Sequence, residues 1–162
     1  MSVLPATAEE AADLLAQQNR LELPTYTHQD AWDLGSTLVR LARESGAPVA
    51  IDLRRGLQQV FHAALPGSTA DNDDWLARKR RVVERYGESS LLVGTRFRAK
   101  GTTFEDASRL DPSRYAAHGG VLPVLVRGVS GPVGTIGVSG LPQVEDHALV
   151  VAALEQYVAG RR

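Results

Sequence analysis

The chain has no cysteine among its 162 residues, which excludes disulfides, thiolate nucleophiles and thiolate metal ligands. It also lacks an excess of either charge, because the formal net charge is −1 at pH 7. Nucleic acid and anionic membranes require a clear positive excess and are not expected partners. No stretch approaches the roughly 20 apolar residues of a membrane span, and residues 1–19 lack the pattern of a secretory signal. We therefore expect a cytoplasmic protein.

Apolar residues recur at helical spacing in several segments of the chain. Thr7 and Thr27 each precede such a segment and are typical N-cap residues. The helices predicted in this way cover residues 8–18, 27–45, 68–86, 89–97 and 142–158. A further short helix is expected after Asp111-Pro112, within a segment that is otherwise mainly loop. Nearly half of the chain is thus predicted to be helical.

Alternation of apolar and polar residues marks a strand over residues 49–54, and a second run covers 57–64. Arg55-Gly56 between them is typical of a two-residue hairpin turn, which would place Asp52 opposite Gln59. Two more regions complete the predicted strands: a second hairpin formed by residues 121–127 and 133–139, and a short strand at residues 21–23.

Strands joined by hairpins are antiparallel, and each apolar helix stripe must cover a sheet face. The sequence therefore predicts an α/β/α sandwich around a mostly antiparallel sheet of about five strands. No repeat and no linker rich in proline, glycine or serine divides the chain. We expect a single domain over residues 1–162, with residues 1–46 forming a helical N-terminal extension.

Two blocks of sequence resemble a known family. One combines Gly119-Gly-Val-Leu-Pro-Val, Gly134-Thr-Ile-Gly-Val-Ser-Gly and the acidic Asp146 early in a helix. The other combines Val49-Ala-Ile-Asp with the basic segment Trp75-Leu-Ala-Arg-Lys-Arg. Together they resemble the GlcG/HbpS-like family, also called the haem-degrading domain family. The amino-acid sequences of residues 71–75 and 137–147 are similar to those of a UPF-type branch of this family. The whole resemblance covers about residues 47–158.

This resemblance implies a profilin-like α/β sandwich with a five-stranded antiparallel sheet. It also implies assembly into a homo-oligomer and binding of haem or another small ligand. It supplies no ligand motif that can be placed on this sequence, so the candidate site residues come from residue chemistry.

His118 is the first candidate, because it precedes Gly119 and Gly120 in a predicted loop. A neutral imidazole nitrogen binds haem iron and is the natural axial ligand in a chain without cysteine. The alternative is a loop histidine bonded to nearby backbone. His147 lies on the apolar stripe of the last helix and is either a ligand or a satisfied histidine at the core edge. No two histidines have the i, i+4 spacing of a helical metal site, so no such site is expected.

Arg78 and Arg81 belong to a basic helical run that is either a solvated face, a subunit contact or a clamp for a carboxylate. Arginine matches a carboxylate such as a haem propionate with two parallel hydrogen bonds. Arg96, Arg98 and Lys100 could extend this patch. Ser139 precedes the last helix, whose free N-terminal amides could hold an anion. Close packing of the glycine-rich strand is the other explanation for that segment.

Three functions remain open from these observations. The first is a homo-oligomeric binding protein for haem or a similar anionic small ligand. The second is an enzyme that degrades haem or acts on a small hydroxy or oxo acid, although no set of acid–base residues is evident. The third is an oligomeric scaffold or adaptor without a ligand.

Overall fold

The computed structural model describes residues 5–161. Its helices are α1 (Ala8–Asn19), α2 (His28–Glu44), α3 (Ala70–Tyr86), α4 (Ser90–Ala99), α5 (Phe104–Ser108) and α6 (Gln143–Ala159). Its strands are β1 (Ala50–Arg55), β2 (Gln58–Ala64), β3 (Val121–Val124) and β4 (Gly134–Ser139). Thr7 and Thr27 cap α1 and α2 with reciprocal side-chain bonds, and Gly87 ends α3 in the left-handed conformation. The predicted starts of α1 and α2 are confirmed.

The four strands form one sheet in the order β2-β1-β4-β3, and all neighbours are antiparallel. Side chains alternate between the two faces of a strand. Ile51 and Leu53 therefore join the main core under α2 and α6, while Ala50 points to the other face and packs with Leu76 of α3. This is the predicted α/β/α sandwich.

The prediction of about five strands is wrong, because the described residues contain four. Residues 21–23 contribute only a single bridge, in which Leu23 N–H donates to Leu125 O and Arg127 N–H donates to Leu23 O. Pro24 follows at once and cannot donate to a ladder. The segment therefore stops after one residue pair.

The predicted register of the first hairpin is also wrong. Asp52 lies opposite His62, and the pairing shifts by one residue beyond Leu53. This shift is a β-bulge in β2. The turn itself lies at Gly56-Leu57, because Arg55 pairs with Gln58, and Gly56 has a φ of +57°. The Gln59 side chain nevertheless donates to Asp52 Oδ1 at 2.7 Å.

The segment between α4 and β3 contains a different short helix from the one expected. Thr103 caps α5 by accepting from the Asp106 N–H, whereas Asp111 accepts from Ser113 and forms a turn. Within residues 5–161, every helix is too short or too polar to cross a membrane. α5 matters for the site, because its start lines a cleft beside His118.

Candidate functional site

A buried lysine fixes the loop that carries His118. Lys79 Nζ, on α3, donates to Gly119 O at 2.8 Å, to Asp146 Oδ2 at 3.1 Å and to Val138 O at 3.4 Å. Lys79 is 3% exposed and Asp146 is 1% exposed. These contacts tie α3, the loop, β4 and the start of α6 together.

Burial acts against both charges of this pair. It lowers the pKa of Lys79 and raises the pKa of Asp146, and the mutual attraction opposes both shifts. Asp146 Oδ1 also accepts from Leu141 N–H at 2.9 Å. Because every charged atom has a partner, the ion pair holds the two elements in a single arrangement.

The glycines of the loop are required by this packing. Gly120 has a φ of +139°, and a Cβ on it would lie 2.6 Å from Lys79 Nζ and from Val138 O. A Cβ on Gly119 would overlap the carbonyl oxygen of Gln143. Close approach of backbone and side chain therefore accounts for the Gly-Gly pair without a ligand.

His118 stands between two adjoining clefts. The larger has a volume of about 380 Å³, and its lining includes Gly94, Arg98, Thr103, Phe104, Glu105 and Ala117. The smaller has a volume of about 250 Å³, and its lining includes Asn72, Trp75, Ser139, Gly140 and Leu141. His118 and Gln143 line both. A side chain in this position can contact a ligand in either cleft.

The imidazole of His118 is half-buried and lies against Trp75, with ring centres 5.3 Å apart. Neither ring nitrogen hydrogen-bonds to any residue in the described range 5–161. Burial lowers the pKa of His118, with Glu105 acting in the opposite direction. The ring is therefore neutral at pH 7 and retains a free nitrogen lone pair.

The candidate arginines have different surroundings in the structure. The Arg78 guanidinium carbon lies 3.9 Å from the centre of the Trp75 ring, at the side of the site, and Arg98 lines the larger cleft. Arg96 binds Glu88 with two hydrogen bonds. Arg81 donates to Arg114 O and lies outside both clefts.

Ser139 and His147 have different surroundings. Ser139 lines the smaller cleft, where its Oγ lies 3.5 Å from Asn72 Nδ2. His147 is 5% exposed and faces α1, with Nε2 2.8 Å from Gln17 Oε1. The structure therefore places His118 and Ser139 on the walls of the clefts and Gly119, Gly120 and Arg78 beside them, and it does not bring Arg81 or His147 to the clefts.

A sequence model of the family described as "Haem degrading protein HbpS-like" matches residues 26–155. The UPF0303 protein of Streptomyces avermitilis is 69% identical over 146 residues, which is 90% of this chain and 89% of the relative. The chain belongs to the HbpS-like family. The resemblance seen in the sequence is thereby confirmed, including the UPF-type branch, and the match takes in α2.

Solved structures share the fold of this HbpS-like protein. The crystal structure of Ybr137w protein has a TM-score of 0.85 and 33% identity, covering 93% of this chain and 88% of that one. The crystal structure of a PduOC:heme complex has a TM-score of 0.66 and 16% identity, covering 81% of this chain and 94% of that one. At 16% identity the second likeness concerns the fold alone.

Sequence reasoning about this HbpS-like protein missed the ion pair of Lys79 and Asp146. In the sequence, Lys79 belongs to the basic run that is either a solvated face, a subunit contact or a carboxylate clamp, and Asp146 is an acidic residue early in a helix. The spacing of Leu76, Lys79 and Val83 could have predicted the burial of Lys79, because residues at i, i+3 and i+7 share a helix face. A lysine inside an apolar stripe indicates a buried partner.

We expect His147 to make the protein sensitive to acid. Its Nδ1 has no hydrogen-bond partner within residues 5–161, and burial lowers its pKa from 6.5 to about 4. The unfolded chain therefore binds the proton first, and about 3 kcal/mol of stability is lost as the pH falls from 6.5 to 4. Urea unfolding at several pH values should show a smaller loss for His147→Gln. An equal loss in both proteins would contradict this role.

Proposed function

We propose that this HbpS-like protein binds haem, or a similar flat anionic ligand, beside His118. The observation that carries the proposal is a half-buried imidazole that two adjoining clefts share and that has no hydrogen-bond partner among residues 5–161. A neutral histidine nitrogen is a standard ligand of haem iron. Burial keeps the pKa of His118 low, so that nitrogen is available at neutral pH.

The larger cleft supports a ligand with an extended apolar surface. Its volume of about 380 Å³ lies in the range of small-molecule sites, which are roughly 300–1,000 Å³. Phe104 and Ala117 supply apolar lining, and each is 4% exposed. Trp75 borders the smaller cleft on the other side of His118. A planar ring system could pack against these surfaces.

The charges around the larger cleft favour one orientation of an anionic ligand. Arg98 lies on its wall, and its Nη2 donates to Thr95 Oγ1 at 3.1 Å. Glu105 and Asp106 line the same cleft and would repel a carboxylate placed near them. We therefore assign carboxylate recognition to Arg98, because Arg78 already pairs with Asp74 at 3.0 Å.

The family relationship supports the same ligand. The description of the matching family names haem degradation, and PduOC, a protein of the same fold, has been solved as a haem complex. Bound haem would supply iron-centred redox chemistry. The chain's own residues would hold the macrocycle, orient its carboxylates and limit its contact with water.

Titration of purified protein with haemin tests the proposal. The expected result is a shifted Soret band that saturates at one haemin per chain. An unchanged spectrum, or a shift without a defined stoichiometry, would refute specific binding. Adding a reductant and oxygen to the complex then separates binding from degradation, because degradation would release iron and an open-chain tetrapyrrole.

Reversing the charge of Arg98 should weaken this binding. We expect Arg98→Glu to raise the dissociation constant for haemin about tenfold or more, because a charge-assisted hydrogen bond contributes roughly 1.5–3 kcal/mol. Arg81→Glu is the matched control, since Arg81 contacts Arg114 outside the clefts. Absorbance titrations of the two variants would compare them directly. Equal affinities would show that Arg98 does not recognise the ligand.

A further inference from the structure

The two edges of the sheet are protected to different degrees. At the β3 edge, Ser90 Oγ accepts from Val121 N–H at 3.1 Å and lies 3.3 Å from Val121 O. Pro123 has no N–H to leave unpaired, and the bridge from Leu23 covers the chain just beyond the strand. An edge treated in this way resists pairing with another strand.

The β2 edge has no comparable cover. Among the described residues β2 pairs only with β1. Leu65 N–H donates to Val49 O, and backbone groups alternate along a strand, so the N–H and C=O groups of His62 and Ala64 point outward. The strand Gln58-Gln-Val-Phe-His-Ala-Ala has no proline and no charged Lys, Asp or Glu. Its bulge limits the regular edge to its last four residues, which is still enough for a ladder.

An exposed aromatic residue borders the same edge. Trp32, on α2, is 60% exposed, and its ring packs edge-on against Phe61 of β2 with centres 5.4 Å apart. Large aromatic residues with apolar surface open to water are enriched where proteins meet. The edge therefore offers both hydrogen-bonding groups and an apolar anchor.

The charges near the two ends of β2 favour antiparallel pairing of this strand with the β2 of a second copy. Arg55 is exposed and ends β1 just before the turn into β2, whereas Arg54 is paired with Asp52 at 3.2 Å. The acidic start of α3 follows β2, and Asp73 lies 2.7 Å from His62 Nε2. Antiparallel pairing of two copies brings the basic end of each β2 opposite the acidic end of the other. A second copy of the chain therefore meets unlike charge at both ends.

We infer that the β2 edge and Trp32 form the contact surface for a second copy of this chain. Two β2 strands would pair antiparallel about a two-fold axis, which joins two four-stranded sheets into one continuous sheet. Such a contact is isologous, because the same surface serves both copies. It does not depend on the ligand bound beside His118.

Native mass spectrometry and light scattering of the protein without haemin test this interface. The expected result is a dimer, or a larger even-numbered oligomer built from dimers. Trp32→Glu and Ala64→Lys should each raise the dimer dissociation constant at least tenfold, by removing the anchor or by placing like charges across the axis. Val129→Glu is the matched control, because Val129 is 51% exposed on the β3–β4 loop. It should leave the mass unchanged.

The absence of native cysteine permits an independent test. A variant that carries both His62→Cys and Ala64→Cys should give disulfide-linked dimers under mild oxidation, because these outward positions face each other across the two-fold axis, and Ser130→Cys should not. A monomeric wild-type protein would overturn the inference. So would an oligomer that keeps its mass in both edge variants and forms no cross-link at β2.

Discussion

Replacing Lys79 with methionine is expected to lower the free energy of unfolding by about 3–5 kcal/mol, the usual cost of removing one partner from a buried ion pair. Methionine keeps the length of the side chain but removes the ammonium. Asp146 then remains 1% exposed with its Oδ2 unpartnered. For a chain of this size, the melting temperature should fall by roughly 10 °C.

Two further variants test the cause of this loss. Lys100→Met removes an exposed lysine and should change stability by less than about 0.5 kcal/mol. The double variant Lys79→Met with Asp146→Leu removes both charges and should recover much of the stability, because an apolar pair needs no hydrogen bonds. Thermal and urea unfolding would measure all three. If Lys79→Met alone cost less than about 1 kcal/mol, Lys79 and Asp146 would not act as a buried ion pair.

The same variant should gain a characteristic pH dependence. Without the ammonium, the strongest influence that lowers the pKa of Asp146 is lost, and burial raises this pKa further above its ordinary value of 3.8 against the hydrogen bond from Leu141 N–H. A raised folded-state pKa gives stability at low pH that is lost as the pH rises. The stability gap between Lys79→Met and the wild type should therefore widen from pH 5 to pH 8. A gap that is independent of pH would indicate lost packing and not an unpaired carboxylate.

The helices could be predicted from the sequence because their signals are local. Thr7 and Thr27 cap through atoms three residues away, and Gly87 ends α3 by adopting a positive φ. The layer order followed as well, because hairpins and apolar stripes leave few ways to cover a sheet. Family resemblance and local pattern led to the same fold.

The strand count and register could not be predicted because they depend on distant partners. The bulge opposite Leu53 shifts the first hairpin by one residue, and nothing in Arg55-Gly56-Leu57 distinguishes the two possible turns. Leu23 is of a residue type common in strands, yet within the described part of the chain its backbone pairs only with Leu125 and Arg127. Both differences are decided by tertiary packing.

The loop position of His118 could be predicted from the sequence, but the cations beside the proposed site could not. The Gly-Gly pair after His118 indicated a tight loop, and the structure places that loop beside the clefts. Arg81 and Arg98 carry the same chemistry in the sequence. Only the orientation of α3 against the loop around Arg114 removes Arg81 from the clefts, and only the position of α4 admits Arg98. The neighbouring sequence does not reveal the direction in which a side chain points once distant elements pack together.

Replacing His118 with glycine should reduce haemin affinity by about 100-fold or more, because a metal ligand contributes more than the supporting contacts around it. The substitution opens space where the imidazole stood, so free imidazole at millimolar concentration should restore part of the shifted Soret band. His28→Gly is the control, since His28 is exposed and bonds Gln58. An unchanged affinity in His118→Gly would remove His118 from the site.

The pH profile of haemin binding provides the sharper measurement of this role. Burial holds the pKa of His118 below the ordinary 6.5, so the ring nitrogen stays unprotonated at pH values where an exposed histidine is already charged. Affinity should therefore remain constant from pH 8 down to 6.5 and decline only at more acid pH, by about tenfold per pH unit below the lowered pKa. A midpoint at 6.5 or above would mean that the iron ligand is a different, exposed histidine. Because the decline follows one proton on one side chain, it should disappear in His118→Gly rescued with a fixed concentration of neutral imidazole.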